Sequence, residues 1–270
     1  MPELPEVETT RRGIEPHVVG RKVSWMEVRE PRLRWRIEES VTQSITGQTI
    51  ESVDRRAKYL FLTSTNGRLM IHLGMSGSLR VLKQRKNPDK HDHVDIGLSD
   101  GGILRFRDPR RFGSIFWLQD HDSHVLLDHL GPEPLSTSFS GDYLFARSRG
   151  RRVAVKTFIM NSQIVVGVGN IYANEALYRA GIRPDRLAMR VGKARCERLV
   201  DVIKSVLAEA IAAGGTTLRD FVKEDGTPGY FRSELEVYGR KDEPCLQCGR
   251  ILREIRQAGR STVFCSHCQR

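Results

Sequence analysis

From about residue 22 to 120, apolar and polar positions alternate or gather into short apolar runs. "KVSWMEVRE", "YLFLTST", "GRLMIHLGMSGSLRVL", "HVDIGLSD", "GGILRFRD" and "GSIFWLQD" have the length and pattern of strands. Asn66-Gly67 and Asp100-Gly101-Gly102 punctuate them as hairpin turns. Several short strands with tight turns predict a β-sandwich or barrel. A helix is predicted before them, from residue 3 to about 15. Pro2 and Pro5 fit ahead of it or in its first turn, where a missing N–H does no harm. Glu3 and Glu6 suit the positive end of its macrodipole. "HDSHVLLDHLGPEP" predicts a short helix stopped by Gly131-Pro132.

After Pro134 the pattern turns helical. "NEALYRAGI" (174–182) predicts one helix. "GKARCERLVDVIKSVLAEAIAAGG" (192–215) predicts a longer one, with Leu199, Ile203, Leu207 and Ile211 on one face and Gly214-Gly215 at its end. Cys196 reads as a packing residue near its start. Residues 216–234 are polar and contain Gly and Pro, the composition of a loop. The expected class is α+β: a β-rich domain over residues 1–133, a helical domain over 134–234 and a small module over 235–270.

Composition narrows the function classes. The 270 residues carry 44 Lys and Arg against 33 Asp and Glu, a net charge of +11. That excess favours a polyanionic partner, nucleic acid before an acidic membrane surface. No run of eighteen apolar residues exists, which argues against a membrane span. The N-terminus lacks the basic-then-apolar pattern of a signal peptide, so the cytosol is the expected compartment.

Four of the five cysteines lie in the last 26 residues as Cys245-x2-Cys248-x16-Cys265-x2-Cys268. Two such knuckles complete a tetrahedron of thiolates around zinc. Four cysteines close the site, so the ion is structural. His267 is an alternative ligand within the second knuckle, but the symmetric spacing favours Cys268. Arg250, Arg253, Arg256 and Arg260 lie between the knuckles, and residues 257–262 read as a hairpin turn. A zinc-held hairpin with arginines at its tip fits a DNA groove.

Separated motifs agree in order along the chain: "PELPEVET" at the start, "KYL" (58–60), "LGMSG" (73–77), "DPRRFG" (108–113), "GVGNIYANE" (167–175) and the four-cysteine hairpin. The chain resembles the bacterial formamidopyrimidine-DNA glycosylases over essentially its whole length. Leu4 stands where the endonuclease VIII sister family usually has Gly, which favours the purine-lesion branch. The resemblance implies a β-sandwich with an N-terminal helix, a helix-two-turns-helix domain and a zinc-finger hairpin. It implies a bifunctional glycosylase and AP lyase that acts as a monomer on damaged double-stranded DNA, near the nucleoid, with one structural zinc ion.

The resemblance also implies residue roles. Removal of Met1 exposes the secondary amine of Pro2, whose iminium with C1′ of the lesion nucleotide is cationic without a proton. Glu3 carries over as general acid/base, and Glu6 as the residue that orients the amine or the helix start. Lys58 contacts phosphate and donates a proton in β-elimination, although two neighbouring arginines make a plain surface lysine the bland alternative. Arg260 grips phosphate and is assigned to δ-elimination; a guanidinium rarely gives up a proton, so its physical role is a clamp. Met75, Arg110 and Phe112 fill the gap left by an everted base. His91, in a loop expected to be mobile, and Arg152 contact DNA. Asn170 opens a helix whose N-terminus binds phosphate, a role compatible with a simple N-cap. Lys156 lies near the site, and Tyr230 belongs to the loop that encloses the everted purine. The rivals are an endonuclease VIII-type enzyme for oxidised pyrimidines and a non-catalytic damaged-DNA-binding protein.

Overall fold

The computed structural model describes residues 2–119, 124–214 and 235–270. The described residues form two compact units, one within residues 2–128 and one within residues 129–213 and 235–270. Among the described residues, no helix is long and apolar enough to cross a membrane.

The first unit starts with α1 (Leu4–Val18), which carries Pro5 in its first turn and buries Leu4, Val7, Ile14 and Val18. One four-stranded antiparallel sheet has the order β1 (Val23–Val28), β6 (Asp92–Leu98), β7 (Ile103–Arg107), β5 (Ser78–Leu82). The other has the order β2 (Ser52–Arg56), β3 (Tyr59–Ser64), β4 (Gly67–His72), β8 (Ser114–Gln119). Alternation sorts each strand. Leu60 and Leu62 of β3, Leu69 and Ile71 of β4, and Ile96 and Leu98 of β6 enter one shared core with Val7, Ile14 and Val18 of α1. Phe61 and Met70 face the other way, into a smaller cluster with Leu118. Two sheets over one core make the predicted sandwich. α1 packs on β2 and β5, an edge strand of each sheet, and so covers edges that would otherwise stay open.

Asn66-Gly67 and Asp100-Gly101-Gly102 do turn the chain between β3 and β4 and between β6 and β7. The reading had no counterpart for β2, for α2 (Glu39–Ile45) or for the short α3 (Gly141–Ser148) and α4 (Val155–Ile159). Their apolar positions are too few to set a period. The segment from residue 124 to 130 is turns rather than the short helix expected, and residues 120–123 lie outside the described residues.

The second unit contains α3, α4, α5 (Asn170–Arg179) and α6 (Lys193–Ala212), then the hairpin β9 (Arg253–Gln257) and β10 (Arg260–Phe264). α6 buries Leu199, Ile203, Leu207 and Ile211, the face read from the sequence, with Cys196 packed near its start. The cysteine hairpin is too small to enclose a core of its own. Its cluster of Val237, Cys245, Leu252, Val263 and Cys265 is completed by Tyr178 from α5. Helical segment and zinc module therefore share apolar contacts within one unit.

Candidate active site and metal centre

Helix α1 fixes the start of the chain. Glu3 and Glu6 are each 2% exposed. The Glu6 carboxylate accepts from the Glu3 backbone N–H at 2.7 Å, the return arm of a capping box. That N–H belongs to the peptide joining Pro2 to Glu3. Glu6 thus caps the N–H at the start of the helix.

Lys58 sits on a two-residue turn. Arg56 pairs with Tyr59, so Ala57 and Lys58 alone connect β2 to β3. Ala57 is buried with φ of 56°, a left-handed conformation rare for a residue with a Cβ. Arg55 donates from Nη1 to the Ala57 carbonyl at 2.9 Å and from Nε to Glu8 Oε2 at 3.0 Å. Burial pushes the Glu8 carboxyl up, but hydrogen bonds from Arg12 and Arg55 outweigh it and hold Glu8 below its ordinary value. Beneath the turn, His72 stacks against Tyr59 at 4.9 Å. Burial first, then the charges of Lys58 and Arg34, lower His72 to about 4. The neutral ring accepts from the Gly74 N–H at 3.1 Å, at the start of the turn that carries Met75.

Met75 and Phe112 are 37% and 40% exposed, unusual for such side chains in a domain with a full core. Arg110 lies over the Phe112 ring at 4.9 Å. One buried carboxylate assembles the three. Asp108 Oδ1 accepts from Ser76 Oγ at 2.8 Å and from the Arg110 N–H at 3.3 Å, and Oδ2 accepts from the Gly113 N–H at 2.7 Å. Gly74 has φ of +65°, and a Cβ there would lie 2.4 Å from the Phe112 carbonyl carbon, so only glycine lets the two turns meet.

His91 was expected on a mobile loop; the structure pins that loop. Arg105 is 4% exposed and bonds both oxygens of Asp95 at 2.7 Å. It also donates to the carbonyls of Lys86 and Asn87, and Asp92 Oδ2 accepts from the Asp89 N–H at 2.9 Å. The His91 carbonyl accepts from the Asp108 N–H at 3.0 Å, which joins this loop to the Met75–Phe112 assembly.

In the second unit α5 presents Asn170, Asn174 and Tyr178 four residues apart, one stripe along the helix. The stripe faces the hairpin. Asn170 Nδ2 donates to the Ser261 carbonyl at 3.1 Å, Asn174 Oδ1 accepts from the Val263 N–H at 2.9 Å, and the Tyr178 hydroxyl lies 3.1 Å from Cys245 Sγ. The N-cap position belongs to Gly169 rather than Asn170. Lys156 is 1% exposed; its ammonium donates to Asn170 Oδ1, the Ser261 carbonyl and Thr262 Oγ1 at 2.6, 2.9 and 2.7 Å. It ties α4 to both the helix start and the strand that begins at Arg260. Arg260 is exposed after a turn in which Ala258 and Gly259 have φ of 47° and 74°. It lines a basic cleft of about 400 Å³ with Arg147, Arg151, Lys156 and Gln257. Arg152 is exposed in the α3–α4 connection beside Arg151.

The four cysteine Sγ atoms lie within 4.8 Å of one another, with Cys245–Cys268 at 3.9 Å and Cys248–Cys265 at 3.5 Å. Thiolates at tetrahedral zinc stand about 3.8 Å apart, so the donor set fits one zinc ion. Burial opposes charge on Cys245, but the Tyr178 hydrogen bond and nearby N–H groups hold its thiol down at about 6.

Sequence reasoning missed Asp108, Arg105 and Arg55, which hydrogen-bond the presenting turns, and Glu8, which holds Arg55. It also missed Glu175, which is 3% exposed and accepts from the backbone N–H groups of Glu236, Val237 and Tyr238. Tyr230 and the loop 216–234 lie outside the described residues.

Comparison with known proteins places these features. Family descriptions match residues 1–115 (Formamidopyrimidine-DNA glycosylase N-terminal domain), 130–222 (Formamidopyrimidine-DNA glycosylase H2TH domain) and 242–270 (zinc finger found in FPG and IleRS). The chain is 58% identical to the formamidopyrimidine-DNA glycosylase of Alkalilimnicola ehrlichii and 56% identical to that of a Marinomonas species, each over the full length of both chains. Among solved structures it is similar to the MutM (Fpg) protein of Thermus thermophilus, at 40% identity and a TM-score of 0.88, covering 99% of this chain and 98% of that one. It is also similar to Lactococcus lactis Fpg bound to DNA containing an abasic site, at 33% identity and a TM-score of 0.91, covering 99% of each. Three matched segments in order and full-length identity above half have one meaning: the chain belongs to the formamidopyrimidine-DNA glycosylase family.

Proposed function

We propose that the protein excises oxidised purines, 8-oxoguanine and formamidopyrimidines, from duplex DNA and then cleaves the strand by β,δ-elimination. The observation that carries this reading is the buried helix start. Glu6 accepts from the N–H of the Pro2–Glu3 peptide and so fixes the chain directly after Pro2 at the buried start of α1. A relative from L. lactis was solved with abasic-site DNA and a MutM protein with DNA containing carbocyclic 8-oxoguanine, both at 33–34% identity to this chain.

Once Met1 is removed, the Pro2 amine attacks C1′ of the everted nucleotide as the bond from C1′ to the base breaks; the amine then loses its proton and the C1′–O4′ bond opens, O4′ leaving as a protonated hydroxyl. The resulting iminium draws electrons from the C2′–H bond, and the 3′ phosphate leaves. Glu3 moves protons at the deoxyribose. Lys58 holds the lesion phosphate and supplies a proton during elimination, and Arg260 clamps phosphate electrostatically. Met75, Arg110 and Phe112 enter the gap left by the base, with the Arg110 guanidinium on the orphaned partner. His91, Arg152 and the α5 start at Asn170 hold backbone phosphates. Lys156, whose ammonium is satisfied by three acceptors, organises Asn170 and the Arg260 hairpin. Tyr230 encloses the purine. Zinc in the Cys245, Cys248, Cys265 and Cys268 site supplies a structural cross-link. The division at 133 and 234 is taken as functional: chemistry in front, phosphate grip behind, hairpin at the end. The enzyme works as a monomer and resides with nucleoid DNA.

Excision from an 8-oxoguanine:C duplex against a thymine-glycol duplex tests the substrate class. Preference for 8-oxoguanine is the expected result; strong preference for thymine glycol would reverse it in favour of an endonuclease VIII-type enzyme.

A further inference from the structure

The basic residues around Lys58 fall into two mechanical roles. Arg11 docks α1 on the sheet: it donates from Nη1 to the Val53 carbonyl of β2 at 3.1 Å, and the buried Leu4, Val7, Ile14 and Val18 add apolar contact. That docking acts on β2 rather than on the turn that follows it. Lys58 sits in the two-residue connection where the β2–β3 ladder ends. The direction of its side chain depends on the plane of the Ala57–Lys58 peptide. Arg55 grips that plane through the Ala57 carbonyl at 2.9 Å, while Glu8 holds the same guanidinium through Nε at 3.0 Å.

We propose that Arg55, buttressed by Glu8, is a positioning residue that registers Lys58 to the helix bearing Pro2 and Glu3. The inference rests on the catalytic reading of Lys58. The chain of rigid links runs from the capped start of α1, along the helix to Glu8, through one planar guanidinium to the Ala57 carbonyl and so to Lys58. Arg suits the task because its fork reaches two acceptors in one plane; a lysine ammonium reaches Glu8 or the carbonyl but does not hold both in plane. Both side chains are screened, with 13% exposure for Arg55 and 11% for Glu8, so the link is short and stiff. The Glu8 carboxylate is also held by Arg12 at 2.8 Å and Arg11 at 3.2 Å. Removing the Arg55 link therefore leaves no bare buried charge, which separates positioning from folding.

The test compares Arg55→Lys, Arg11→Met and Lys58→Met with the wild type. Single-turnover cleavage of a duplex with a preformed abasic site reports the lyase step. Affinity for a duplex carrying a tetrahydrofuran abasic analogue reports binding, and thermal melting reports the fold. Misplacement of a reacting group by about 1 Å costs up to about 100-fold. Arg55→Lys is expected to slow cleavage by about 10-fold or more, with affinity and melting close to wild type, and Arg11→Met is expected to cleave normally. Wild-type cleavage by Arg55→Lys beside an impaired Lys58→Met would overturn the positioning role alone. Normal cleavage by Lys58→Met would overturn the reading beneath it. A loss in Arg55→Lys matched by equal loss in melting or affinity would reduce Arg55 to a structural residue.

Discussion

The two units hold their basic groups by different means. In the first, buried or half-buried polar side chains brace each presenting turn: Asp108 beneath Met75 and Phe112, Arg105 beneath the His91 loop, Arg55 beneath Lys58. All three braces stand on a sandwich with its own core. In the second, Arg260 rides on a hairpin with a handful of buried residues, and its bracing comes from Lys156, the α5 stripe and four thiolates. The lesson is that a large core tolerates internal charge as scaffolding, whereas a small module needs a metal and a borrowed helix face.

The largest predicted break follows from that contrast. Stripping zinc with a strong chelator removes on the order of 10 kcal/mol from the hairpin. DNA affinity should fall by about 100-fold or more as phosphate contacts are lost, while the first unit keeps its melting transition. Circular dichroism and duplex titration at fixed salt check this; joint collapse of both units would erase the distinction.

Next in size is Arg105→Met. It leaves Asp95 and Asp92 buried with one partner fewer, and breaking a buried pair costs about 3–5 kcal/mol. Denaturant unfolding should show that loss in the first unit while the zinc module retains its metal.

A pH effect comes third. His72 is lowered to about 4 by burial and by Lys58 and Arg34. The unfolded chain then binds a proton that the folded chain refuses between pH 6.5 and 4. Stability is full above 6.5 and falls by about 3 kcal/mol across that window. Unfolding midpoints measured from pH 7 to 4 should follow this slope, and His72→Asn should flatten it. The smallest effect is at Ala57. Relief of its left-handed backbone in Ala57→Gly offsets the added chain entropy, so melting should shift by the equivalent of about 1 kcal/mol or less. The Ala57 carbonyl stays available to Arg55, so abasic-site cleavage should hold.

Much of this was legible in the sequence because it depends on local spacing. Two knuckles of fixed length announce four ligands around one ion, and Asn66-Gly67 announces a hairpin whatever surrounds it. The braces were not legible, because each forms between residues far apart in the chain. Arg105 and Asp95 are the exception that was within reach: counting outward from the Asp100-Gly101-Gly102 turn pairs them across β6 and β7. Lys156 was read by resemblance as a residue near the site; only the fold reveals three acceptors converging on its ammonium. Asp108 lies inside a motif noted for its arginines and phenylalanine, yet its carboxylate is what holds them.

In the proposed reaction the chain's second residue is the nucleophile. Borohydride trapping on an 8-oxoguanine:C duplex, followed by mass spectrometry of the digested adduct, tests it directly. The expected product is one DNA-linked peptide that begins at Pro2 and lacks Met1, with weakened trapping in Pro2→Gly and still less with Met1 retained. Full trapping with Met1 in place, or a link at a lysine side chain, would contradict it.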